Sequence, residues 1–258
     1  MTNCNPNTLQ FPPLKRRKIQ AEFSGGDITS DAGVMLLRQI DHRLGLLQSV
    51  NQQLPDPRDP KRITHSQLSL LRQRVYGLCM GYEDLNDHQQ LRLDPAFQIA
   101  VNREDNLGSQ ATLCRLENRI HRKTIINIHH VYLQQFIDSF KTPPQELILD
   151  FDATDDPTHR IKEQLLCLFA DRTSSHQWWA NQFRLMLSSL AYILIDSIRR
   201  LVLKNTELQT AQVSTIRLKL LKIGAVVLRN TRRIRFLLSS RYPYQDLFRM
   251  VVIRLQLE

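Results

Sequence analysis

Cysteine is scarce in this 258-residue chain, and the four present (Cys4, Cys79, Cys114 and Cys167) stand far apart with no CxxC pair. That spacing excludes a disulfide framework and a thiolate zinc site. The histidines lack ligand spacing as well; the adjacent His129 and His130 point in different directions on a helix. Long hydrophobic runs are missing. The longest, LMLSSLAYILI at residues 185–195, is too short to cross a bilayer, and Asp196, Arg199 and Arg200 follow it at once. Near the N-terminus FPPLKRRKIQ is basic and proline-bearing, unlike an apolar secretion signal. No repeat and no low-complexity tract is visible. These absences point to a cytoplasmic protein with reduced thiols and no membrane partner.

Acids are scarce in one region only. Residues 199–254 hold thirteen lysines and arginines but only Glu207 and Asp246, in a chain whose formal charge is +10. The rest is therefore close to neutral. Positive charge gathered in one region favours a polyanionic partner such as nucleic acid. An arginine-rich, solvated helical surface gives the same composition.

What is present reads mainly as helix. With 42% apolar residues the chain can build a sizeable core. Residues 1–17 read as a flexible basic leader. IQAEFSGGDIT then predicts a short hairpin turning at Ser24-Gly25-Gly26-Asp27. Ser30 or Asp31 can cap a helix carrying Val34, Leu36, Leu37 and Ile40. LPDPRDPKR is a loop, after which Leu68, Leu71, Val75, Leu78 and Cys79 repeat at helical steps. The acids Glu83, Asp84, Asp87 and Asp94 suit capping and pairing with Arg92, Arg72 or Arg74 better than metal binding. Two helices follow, with Ser109 or Thr112 as a cap, until Pro143 and Pro144. Beyond residue 160 the pattern predicts a helix over 174–204, a second over 210–239, and a last short helix after YPYQDLF.

Between these helical parts lies ELILDFDAT, the one strongly strand-like run of the second half. Alternation puts Asp150 and Asp152 on one face, where two carboxylates crowd each other unless a cation or hydrogen-bond donors offset the repulsion. Mg²⁺ takes such oxygen ligands, and a pair of ions can drive phosphodiester chemistry. Capping of the next turn by Asp150 and Asp152, with Asp155 and Asp156 solvated, fits the strand equally well.

GYEDLNDHQQLRLDPAF, SQATLCRLENR, LILDFDATDD and the tail RIKEQ…LFADRTSSHQWWANQFRLMLSSLAY…TIRLKLLKIGAVVLRNTRRIRFLLSS resemble the DDE transposases of bacterial insertion sequences, in the branch whose first catalytic aspartate follows an LDxDxT strand. The resemblance covers nearly the whole chain. It implies a ribonuclease-H-like domain in which three carboxylates hold two Mg²⁺ or Mn²⁺ ions that cut and rejoin transposon ends. By it Asp152 is the first metal ligand and Asp150 the second candidate. The family's second aspartate and its third carboxylate, a glutamate shortly before RIKEQ, have no counterpart here. Thr158-His159 stand where the glutamate is expected, and Glu163 is displaced from it by more than a turn. The chain therefore reads as a copy shortened internally near residues 158–160, with a site too incomplete to hold the ions stably.

The expected architecture is mainly α: a remnant of an α/β ribonuclease-H-like domain with a small β patch (19–29 and 146–152) and long C-terminal helices. Its expected parts are the leader 1–17, a helical region 18–142, the catalytic strand 146–159 and a basic helical region 160–258. In a helix over 215–238, Lys219, Lys222, Arg229 and Arg233 share one side, and Arg232 and Arg235 widen it for contact with DNA phosphates. Trp178 and Trp179 suit core or interface better than base stacking. Expected partners are DNA at transposon ends and a homo-oligomer or mixed oligomer with an intact copy. A regulator that inhibits the intact enzyme is the alternative to an inactive transposase.

Overall fold

A computed structural model describes residues 8–140, 142, 144–146 and 162–256. The catalytic strand expected at 146–152 lies, apart from Glu146, outside the described residues. A hairpin of β1 (Leu9–Leu14) and β2 (Arg17–Ala21) comes first. Residues 9–17 are thus strand and turn rather than leader. The turn uses Lys15 at φ 55°, and the register shifts between Phe11 and Leu14, where Pro12 and Pro13 have no N–H to donate. The hairpin expected around Ser24–Asp27 does not form. Instead β3 (Ile28–Thr29) pairs with a strand almost two hundred residues later.

The helices α1 (Val34–Leu44) and α2 (Leu46–Gln53) meet at Gly45, whose φ of 62° serves as the C-cap of one and the N-cap of the other. Ser66, not the proline loop, starts α3 (Gln67–Met80), accepting a hydrogen bond from the Ser69 N–H. Every residue of α3 except Leu68 is buried. The single apolar stripe expected there is therefore widened to the whole circumference, which forces its polar side chains to find partners. Arg72 binds Asp41 at 2.8 Å, Arg74 binds Glu117 at 2.9 Å, and Gln73 exchanges hydrogen bonds with the backbone of Gly108.

Three short or medium helices follow: α4 (His88–Leu91), α5 (Pro95–Ala100) and α6 (Gln110–Asn118). Asp84 and Asp94 cap the turns that follow them, as expected for that acidic stretch. The expected pairing is corrected: Glu83 binds Arg172, while Arg72 and Arg74 take Asp41 and Glu117. After α7 (Arg122–Asp138) and the undescribed segment come α8 (Trp178–Ser197), which runs on as a π-helical turn (Ile198–Val202), and the short α9 (Val213–Ile216) with its own π-helical turn (Arg217–Leu221). The chain then leaves the helix for β4 (Ala225–Asn230) and β5 (Arg233–Leu238), and ends in α10 (Gln245–Gln256). The helix predicted over 210–239 is thus replaced beyond Leu221 by a hairpin. Its sheet has the order β3-β4-β5, antiparallel throughout.

One hydrophobic core joins the two sides of the undescribed segment, from Val34, Leu71 and Ile128 to Leu187, Leu220 and Leu255. Backbone contacts knit them further. The Ala32 and Gly33 N–H groups donate to the carbonyls of Ile223 and Leu221. Gly33 is needed for that approach, since a Cβ there would stand 2.3 Å from the Leu221 Cα. Arg217 then closes the C-terminus of α3 by donating to the carbonyls of Cys79 and Leu78. Glu163 is consumed structurally, bound to Arg199 at 3.0 Å and to the Val213 N–H.

Candidate nucleic-acid interface

The hairpin β4–β5 follows from its own residues. Asn230 turns the chain: its side-chain oxygen accepts from the N–H groups of both Arg232 and Arg233, a local bond that competes with helix. On β5 the order Arg233, Ile234, Arg235, Phe236 alternates charged and apolar residues, the period of a strand. Opposite Phe236 stands Val227, and Ala225 and Val227 are buried against the body of the protein. Arg233 and Arg235 consequently lie on the other face, about 6.7 Å apart along the strand.

The six expected DNA-binding residues fall into two sets. Lys219, Lys222 and Arg229 are engaged by other groups of the protein. Lys222 binds the buried carboxylate of Asp31 at 2.7 Å and stands 4.0 Å from the Tyr82 ring centroid. Tyr82 donates its own hydroxyl to Asp31 at 2.6 Å, and burial, followed by this bond, pushes its pKa far up. Lys219 lies over the Tyr244 ring at 4.7 Å and 3.6 Å from Glu207; its pKa rises through hydrogen bonding to Tyr244. Arg229 donates to the Glu104 carbonyl at 2.9 Å and to Gln98 at 2.8 Å, fastening the turn end of the hairpin. Arg232, Arg233 and Arg235 are exposed, and their side chains have no ion pair or hydrogen bond among the described residues. The common helical face expected for Lys219, Lys222, Arg229 and Arg233 does not exist, because the chain changes from helix to strand between them.

Asp31 and the tyrosines Tyr82 and Tyr244, which hold the lysines, carry no local sequence signal, since each is far from its partner along the chain. Asp150 and Asp152 lie outside the described residues. Trp178 is two-thirds exposed and Trp179 packs partly against the core.

A mainly helical body with a cationic hairpin is accompanied by a match to one class of protein: the profile of transposase DDE domain group 1 matches residues 11–160 and 159–258. The two matched segments take in nearly all of the sequence, and the chain belongs to this family of DDE transposases. No curated protein and no solved structure matches it. The family works on DNA and uses divalent metal ions. Among the described residues no three His, Cys, Asp or Glu side chains converge to hold such an ion. The buried acids there are already bound, Asp41 by Arg72, Glu117 by Arg74 and Arg184, and Glu163 by Arg199. The described residues therefore do not fit the two-ion centre. Among them no helix is long and apolar enough to cross a membrane.

Proposed function

We propose that this chain is an internally shortened DDE transposase that binds DNA through the β4–β5 hairpin and does not carry out strand cleavage and joining. The observation that carries this reading is the break in the family match, whose two segments meet at residues 159–160. No residues separate the two segments, which supports family sequence missing at that point rather than added. The sequence supports the same place: LILDFDATDD supplies Asp150 and Asp152, and RIKEQ begins five residues after Asp155. Two metal ions gripped from one strand lack the opposing carboxylates that fix their spacing. The shared core of both flanks supports a folded product.

The test is a strand-transfer assay with the matching transposon ends and Mg²⁺ or Mn²⁺, run beside a gel shift on the same ends. The expected result is a shifted complex without joined product. Robust joining would refute the inactive reading.

The shared core also favours a second role. A folded chain that keeps both flanks can occupy transposon ends, alone or in mixed oligomers, and so inhibit an intact copy. Co-expression with an intact copy should then lower its transposition frequency, and an unchanged frequency removes this role.

A further inference from the structure

Beside the hairpin lies a second arginine-lined feature that none of the expected site residues belongs to. His65, at the entrance to α3, Arg92, after α4, and Arg103, after α5, line one pocket together with Glu104 and Asp105. Arg92 makes no ion pair and no side-chain hydrogen bond among the described residues. Arg103 donates to the Thr64 carbonyl at 2.9 Å, and its ion-pair partner among the described residues, Asp105, is 4.0 Å away and 89% exposed. The Nε atoms of both arginines and Nδ1 of His65 are buried without a partner. The stems are thus packed in place while the guanidinium ends face the pocket, a preorganised arrangement that loses little entropy on binding an anion.

Arg92 and Arg103 are half-buried in the pocket wall, whereas its two acids, Glu104 and Asp105, are exposed. Burial, and after it the charges of Arg103, Arg92 and Arg58, hold the His65 pKa below the usual range. Arg229, by donating to the Glu104 carbonyl, places the turn end of the hairpin against this pocket.

We propose that the pocket of His65, Arg92 and Arg103 binds a phosphoryl group, supplied by the DNA backbone as a second anchor beside the hairpin. That DNA is the source rests on the function proposed above; the phosphoryl chemistry does not. Guanidinium groups in a fixed fork match phosphate oxygens. Neutral His65 donates from one ring nitrogen and, once an anion is bound, holds a second proton more readily.

The experiment uses the full chain in two arms. In the first, inorganic phosphate is titrated while NMR follows His65, with chloride at equal ionic strength as control. The expected result is an upward shift of its titration with phosphate only. An unmoved His65, or an equal shift with chloride, overturns the pocket. In the second, duplex DNA binding is measured across a salt series. Arg92→Gln should weaken binding about eightfold near 0.1 M salt and lower the salt slope by about 0.9. Asp105→Asn, which only removes an exposed acid from the pocket mouth, should tighten binding by about twofold to threefold, and it decides the case if Arg92→Gln does not fold. Unchanged affinity in both variants of a DNA-binding protein overturns DNA as the source. A chain that binds no DNA while phosphate still moves His65 removes the DNA-binding reading and leaves the pocket as a site for free phosphate.

Discussion

Replacing Arg232, Arg233 and Arg235 together by Gln separates the hairpin reading from the helical one. These three side chains are exposed and unpaired among the described residues, so their charge is available to phosphates. Each phosphate contact contributes about 0.9 to the slope of log affinity against log salt. Removing three lowers that slope by about 2.7. Near 0.1 M salt each contact is worth about eightfold, so the triple variant should bind duplex DNA about 500-fold more weakly. Glutamine keeps a polar side chain of similar reach on solvated positions, and the melting temperature should move by less than about 3 °C. Lys222→Gln is the contrast. Its ammonium group is held by Asp31, so the salt slope should stay unchanged while stability falls, because the buried carboxylate loses its partner. Fluorescence anisotropy across a salt series reads both. An unchanged slope in the triple variant, or a loss in Lys222→Gln as large as in the triple, would refute the assignment of DNA contact to the hairpin.

Two further predictions concern the body that carries the hairpin. Asp41 is fully buried and accepts from Arg72, the Tyr76 hydroxyl and the Leu47 N–H, so Asp41→Ala leaves three buried donors unpaired. The cost should be about 3–5 kcal/mol, a fall of roughly 10 °C in melting temperature; a fall under about 3 °C would contradict the network's role. His88 is fully buried, and burial followed by the charge of Arg74 lowers its pKa to about 3. Since the unfolded chain binds this proton near pH 6.5 and the folded one does not, stability is lost as pH falls below 6.5. Between pH 7 and 5 this group alone should remove about 2 kcal/mol, seen in urea midpoints. His88→Gln should flatten that dependence, and an equal slope in the variant would exclude His88 as its source.

Residues 213–238 part from the single helix that their pattern predicts. Apolar positions there fit a helical period well enough to predict one long helix, and the first part, through Leu221, is helical. What ends it is local and visible in hindsight: Gly224, a β-branched pair at Val226 and Val227, the turn-forming Asn230, and charged-apolar alternation from Arg233 to Phe236. What could not be seen was the partner. β4 is held on one side by β3, whose two residues lie in a stretch read as part of another hairpin. Strand pairing over such a separation leaves no mark in either segment alone.

The site divides in the same way. The concentration of arginine in the C-terminal region, its preference for a polyanion and the family of the chain follow from composition and motif. Which cations remain available does not. Lys219 and Lys222 resemble Arg232 and Arg235 in sequence, yet Tyr244 and Glu207 engage the one and Asp31 and Tyr82 the other.

By itself the sequence determined which segments are apolar enough to become helices and where charge accumulates, because both depend on residue type and short spacing. Tertiary structure alone decided that both flanks share one core, that α3 is enclosed on all sides, and which cations face solvent. Those outcomes depend on residues distant in the chain competing for the same carboxylates, rings and carbonyls.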